Sequence, residues 1–185
     1  MDEKADKTDT ILDTTLSRGR KENTPVGEGS FAFGIEVEAS NYYSHAEGIM
    51  TQASGSPSHA EGNSSIASGS SSHAEGIATT ASGSGSHAEG TSSVASGNFS
   101  HAEGNSTASG IFSHAEGTGI ASGILSHAEG QASTASGNFS HAENTGTIAN
   151  SKSQHVFGEY NITDPGFTNV SSRGTYVEIV GNGIN

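Results

Sequence analysis

The chain has no cysteine, no tryptophan and only seven phenylalanines in 185 residues, and 30% of it is hydrophobic. A core of large side chains cannot be assembled from that composition, so order must come from elsewhere. The lack of cysteine excludes disulfide staples and thiolate metal sites. No apolar run approaches the length of a membrane span, so no membrane insertion is expected. Met1 to Lys7 is mixed in charge and leads into no apolar stretch, so no secretory signal peptide is read there. Cations are scarce as well: seven Lys and Arg against twenty Asp and Glu leave a formal net charge of −13, and residues 22–151 hold neither Lys nor Arg. A phosphate-binding surface needs clustered cations, which argues against nucleic acid as a partner.

What the chain has instead is a repeat. Ser-His-Ala-Glu-Gly begins at Ser44, Ser58, Ser72, Ser86, Ser100, Ser113 and Ser126, and an eighth copy at Ser140 ends in Asn144. Ala-Ser-Gly runs between the copies, at Ala53, Ala67, Ala81, Ala95, Ala108, Ala121 and Ala135, before a degenerate Ala149-Asn150-Ser151. The period is 14 residues and shortens to 13 at two steps. Each period has two halves, and each half carries Ala with Gly two residues later. The series extends upstream through Ala32 and Ala39 and downstream to Val156 and Gly158.

Alanine every seven residues is also a heptad spacing. That reading fails, because a coiled coil needs large apolar residues at two positions per heptad and each helical glycine costs about 1 kcal/mol. Both short periods lose their residue in the same place, between Gly104 and Ala108 and between Gly117 and Ala121, which marks a turn. Each half then reads as a short alternating strand, with Ser44, Ala46 and Gly48 on one face and His45 and Glu47 on the other. Two short strands and two turns make one coil. The predicted fold is all-β, a parallel β-roll or solenoid of 14-residue coils whose interior only Ala, Ser and Gly can fill. Eight coils at ~4.8 Å give a body on the order of 40 Å long. So thin a core leaves a lone roll marginal, so partner subunits are expected to cover its outer faces.

The chain divides accordingly. Residues 1–22 read as a flexible N-terminal attachment arm with Ile11, Leu12 and Leu16 as its large apolar anchors. Residues 23–158 are the repeat body. Residues 159–185 are a tail with a turn at Asp164-Pro165-Gly166 and a short strand at Thr175–Val180.

Stacked coils bring His45, His59, His73, His87, His101, His114, His127 and His141 into one column. Glu47, Glu61, Glu75, Glu89, Glu103, Glu116, Glu129 and Glu143 form a second column beside it. Carboxylates at ~4.8 Å repel by about 1 kcal/mol per neighbour in water, and imidazole is the only internal counter-charge. The columns are therefore expected to pair along the roll or across a subunit interface, with the histidine pKa values raised. Stability from such pairing is full below the unfolded histidine value and is lost as pH climbs through the folded one. A solvated face that merely reflects duplication is the plain alternative. His and Glu are competent zinc ligands, but a regular column offers many equivalent weak sites and no closed tetrahedral set, so no metal is assigned. Catalysis needs groups whose pKa values are pushed apart in a pocket, and repetition makes every environment alike. No catalytic or cofactor-binding residue is assigned.

Other columns carry less. Gln52, Ile66, Thr80, Val94, Thr107, Ile120, Thr134 and Ile148 face outward just before each Ala-Ser-Gly, and seven of them are β-branched, as strands favour. The serines from Ser54 to Ser136 lack the flat threonine array of an ice-binding face. Phe99, Phe112, Leu125 and Phe139 mark one corner of the C-terminal half and read as packing between subunits or as an aromatic edge for carbohydrate.

The Ser-x-Ala-x-Gly and Ala-x-Gly alternation at this period resembles the head repeat of trimeric autotransporter adhesins of the YadA type. Together with Thr14-Thr15-Leu16-Ser17-Arg18-Gly19-Arg20-Lys21 and the stretch from Arg173 to Gly183, it is similar to tail-fibre-like proteins of phages and prophages of Gram-positive bacteria. The resemblance implies a left-handed roll, a homotrimer about the long axis, and a place on a virion tail or another extracellular appendage. It implies a structural and adhesive role, not an enzymatic one, with a bacterial surface polysaccharide or protein as receptor. A cell-surface adhesin that binds host protein and a metal-binding solenoid are the alternatives. The adhesin repeat usually has apolar residues where this chain has His and Glu, and no signal peptide, coiled-coil stalk or membrane-anchor barrel is read in the sequence, which favours the phage-type reading.

Overall fold

A computed structural model describes residues 10–12, 15–161, 163, 164, 166 and 168–182. The regular structure among them is entirely β. Two parallel ladders run the length of the body. One is made of the Ser-His-Ala-Glu-Gly segments, from His45–Ile49 and Ser58–Asn63 through to His155–Glu159. The other is made of two-residue strands, from Gln52–Ala53 and Ile66–Ala67 through to Ile148–Ala149. Every rung lies directly over its equivalent: His45 opposite His59, His59 opposite His73, and so on to His141 opposite His155. The two 13-residue coils keep this register, with His101 opposite His114 and His114 opposite His127.

The turns explain how. In a 14-residue coil the Gly-to-Ala turn holds a left-handed residue, as at Met50, Ser64, Ala78, Ser92 and Ala132. In the 13-residue coils that position is deleted, and the turn closes through Asn105 and Ser106 or Thr118 and Gly119. The deletion therefore stays local and neither ladder slips.

The core is the alanine columns, from Ala32 to Ala149, each fully buried. The first serine of each repeat also points inward and donates its Oγ–H to the carbonyl three residues earlier, as Ser72 to Gly69 at 2.7 Å and Ser86 to Gly83 at 2.7 Å. Inside a strip of alanine, that bond satisfies a hydroxyl that would otherwise be buried without a partner. The interior is less restricted than expected. Thr51, Thr79 and Thr147 are buried beside the turn, where the alanine column leaves room for one extra methyl.

Both ends carry larger residues. At the C-terminal end the alanine column continues from Ala142 to Val156 and then to Ile179, a graded apolar plug. Gln154 takes the serine position there. Its Oε1 accepts from the backbone of Asn150 and Ser151, and its Nε2 donates to the Tyr176 carbonyl. Terminal repeats need such distinct residues because their outer rung has no neighbour. The last strand is Glu178–Asn182, running parallel to His155–Glu159, not Thr175–Val180 as expected. The N–H groups of Thr175 and Tyr176 are occupied by the buried Asp164 carboxylate and cannot join the ladder. Burial opposes ionisation of Asp164, but these bonds and one from Gly166 outweigh it and hold its pKa below the ordinary value.

At the other end, Thr15–Arg20 lies parallel to Phe31–Ala39 and adds a further rung. Residues 1–9, 13 and 14 of the proposed arm lie outside the described residues. Arg20 closes this end by donating to the carbonyls of Pro25 and Ala39.

Candidate functional site

The alternation of each strand turns Ser and Ala inward and sends His and Glu outward, and in-register stacking makes them continuous columns. All sixteen residues expected in the two columns are brought together on one face. His155 joins them as a ninth imidazole, opposite His141. Its sequence signal was available, since Gln154-His155-Val156-Phe157-Gly158 follows at the same 14-residue step. From His59 to His127, successive rings stack 4.7–4.8 Å apart and within 3–6° of parallel. The stripe is closed at both ends by aromatic residues. Phe31 meets His45 edge-on at 4.5 Å and Phe33 stands opposite Glu47, while Phe157 tilts against His155 at 5.3 Å.

Pairing between the columns changes partway along. In the first coils each imidazole Nε2 stands near the carboxylate of its own strand: His45–Glu47 at 3.5 Å, His59–Glu61 at 3.6 Å and His73–Glu75 at 3.4 Å. Further on the partner is one coil back: His101–Glu89 at 3.8 Å, His141–Glu129 at 3.8 Å and His155–Glu143 at 3.3 Å. Glu89 is the changeover, 3.9 Å from His87 and 3.8 Å from His101. Of these contacts only His155–Glu143 has hydrogen-bond geometry. The Nε2 atoms of the other eight histidines are shielded from solvent without a hydrogen-bond partner in the chain.

The expectation that pairing raises the histidine pKa values is reversed at His59, His87 and His127, where they are lowered. Burial is the largest cause, and the imidazoles stacked above and below add to it. Together they outweigh the flanking carboxylates. Glu89 is raised, by burial first and then by Glu75. Repulsion along the carboxylate column entered that expectation, but burial of the imidazoles and repulsion along their own column did not.

The remaining outward features fall into place around this face. Gln52 to Ile148 form a half-buried strip on the second ladder, in which only Ile120 is exposed. Phe99, Phe112, Leu125 and Phe139 are about half exposed. Each has left-handed backbone.

Two stretches of the chain, residues 74–100 and 120–150, match the YadA head domain repeat. No curated protein matches the sequence. Both matched stretches lie within the stacked coils, so the rungs built from Ser-His-Ala-Glu-Gly and Ala-Ser-Gly are YadA-like head repeats in an all-β parallel solenoid.

Proposed function

We propose that the chain is a structural, adhesive module that works as a homotrimer on an extracellular appendage, as the shaft or tip of a fibre contacting a bacterial surface. The observation that carries the reading is unbroken register: the same His–Glu stripe recurs from coil to coil while the corner residues vary around it. Such a surface suits multivalent contact with a repetitive polymer or protein rather than chemistry on one bound substrate, so no enzymatic role is assigned. The YadA-like repeat supports an adhesin-type module. The stretches Thr14–Lys21 and Arg173–Gly183 support the finer reading of a phage tail fibre.

The trimer is supported by what one chain leaves exposed. The His and Glu columns are only half-buried, and apolar residues such as Ile49, Ile77, Phe99 and Phe112 stand open at the corners. We assign the columns from His45 to His141 and from Glu47 to Glu143 to the subunit contact. Sedimentation equilibrium is expected to give three chains at micromolar concentration, and a well-folded monomer at high dilution in neutral buffer overturns the assignment. The intact trimer is expected to bind purified bacterial surface polysaccharide or whole cells. Failure to retain either removes the adhesive half of the reading.

A further inference from the structure

We propose that the His–Glu stripe is a linear array of divalent transition-metal sites, one for every two coils, each made of two histidine Nε2 atoms and one carboxylate. The first set is His45, Glu47 and His59, and equivalent trios recur at alternate coils to His127, Glu129 and His141, four in all. Within each trio the ligand atoms lie within 4.8 Å of one another.

Three features lead there. The Nε2 atoms of these eight histidines are shielded from solvent without a hydrogen-bond partner in the chain, whereas the inward first serine of the repeat is bonded, as at Ser72 and Ser86. A ring nitrogen in that state presents its lone pair to whatever electrophile fits. Residues 22–151 contain no Lys or Arg, so no side-chain ammonium or guanidinium competes for the carboxylates. Third, the ring spacing sets the stoichiometry. Two Nε2 atoms at about 2.0–2.1 Å from one tetrahedral zinc are about 3.4 Å apart. The paired rings, with centroids 4.4–4.8 Å apart, reach that by tilting toward each other, each by roughly half an ångström or slightly more. A ring that tilts toward one neighbour tilts away from the other, so closure proceeds in pairs and alternate gaps stay open.

This pairwise closure is what a uniform column lacks when read from sequence, where all sites look equivalent and weak. Two imidazoles and a carboxylate select zinc-like ions over magnesium, which prefers oxygen ligands and keeps its water. A fourth position stays open to water or to a carboxylate of a neighbouring subunit. All three ligands come from one chain, so the proposal goes beyond the adhesive reading and does not rest on it.

The test uses the full chain without an affinity tag, stripped with EDTA and dialysed at pH 7.5 against zinc or magnesium, with bound metal quantified. Zinc is expected to approach the four sites per chain and magnesium to stay at background. The double variant H73Q/H87Q is expected to lose one of the four, with its β circular-dichroism spectrum unchanged. Equal uptake of magnesium, or undiminished zinc in a folded H73Q/H87Q, overturns the proposal. A readout on the unmodified chain covers the case in which that variant does not fold: imidazole nitrogen resonances should report zinc at Nε2, and unshifted Nε2 signals at saturating zinc also overturn it. Sedimentation in EDTA separates the two proposals, since a trimer that persists there without taking up zinc afterwards sinks only the metal array.

Discussion

The two halves of the roll share the same rung and differ in what they show to solvent. Up to the coil of His87, large exposed residues sit mainly on the Gly-to-Ala turn, at Ile35, Ile49, Met50 and Ile77. The opposite corner is small or polar there, with Pro57, Ser70, Ser71, Ser84 and Gly85; Tyr42 and Tyr43 in the first coil are the exception. From Phe99 onward the pattern inverts. Phe99, Ile111, Phe112, Ile124, Leu125 and Phe139 occupy the Gly-to-Ser corner, while the Gly-to-Ala turn carries Asn105, Thr118, Gln131 and Thr145. The inversion coincides with the two 13-residue coils and with shorter Ser-His-Ala-Glu-Gly strands, His114–Ala115 against Ser72–Ile77. None of this disturbs the alanine columns, which stay fully buried throughout. The inward residues specify the coil, and the corners are free to specify partners.

The glycine column offers the sharpest test of how far the halves differ. At Gly76, φ is +110°, and an added Cβ would collide with the Gly90 carbonyl oxygen. At Gly104, where the coil is shortened, φ is +84° and the nearest atom would be 2.8 Å away. Gly76→Ala is expected to destabilise by at least about 3 kcal/mol, and Gly104→Ala by about half as much, in urea unfolding followed by circular dichroism. Equal losses break the comparison by making both halves equally tight.

Acid should act on the two halves alike. His59 and His87 in one half and His127 in the other bind protons less readily folded than unfolded. Their contribution is therefore complete above the unfolded value near 6.5 and falls away as pH drops from there through the lowered folded values. Glu89, raised, works in the opposite sense at lower pH. Melting temperature is expected to decline from pH 7.5 to pH 5.5, and H59Q/H87Q/H127Q to flatten that decline. A melting temperature that rises on acidification restores the charge-pairing account.

The smallest effect is expected at the aromatic corner. Phe112 is 53% exposed with φ +57°, and its ring stacks on Phe99 at 5.0 Å. A bulky residue in left-handed backbone costs roughly 1–2 kcal/mol, which Asn relieves in part, while the lost ring contact is worth about 0.5–1.5 kcal/mol. Phe112→Asn is expected to change the stability of the roll by less than about 1 kcal/mol in the same denaturation assay. A larger loss means that this corner supports the fold rather than only presenting a surface.

Much of the coil was legible because parallel stacking obeys a simple rule: residues one period apart lie over one another. The Ala columns, the outward His and Glu, and a deletion confined to one turn all follow from period and alternation. Three things did not follow. The terminal strand begins at Glu178 because Asp164 holds the N–H groups of Thr175 and Tyr176, a contact across sequence that no local pattern announces. The threonines inside the turn depend on cavity shape. His59, His87 and His127 lose basicity chiefly through burial and then through the rings above and below them, and both come from how closely the coils stack.

Period and composition by themselves determined that this chain coils, which residues fill it, and which line its outer face, since small residues at a fixed step leave the backbone only one dense way to stack. How His and Glu divide their contacts along that face, and how the ends are plugged, came from distances between coils. Charge and packing act through space, at distances that only the stacking of coil on coil sets.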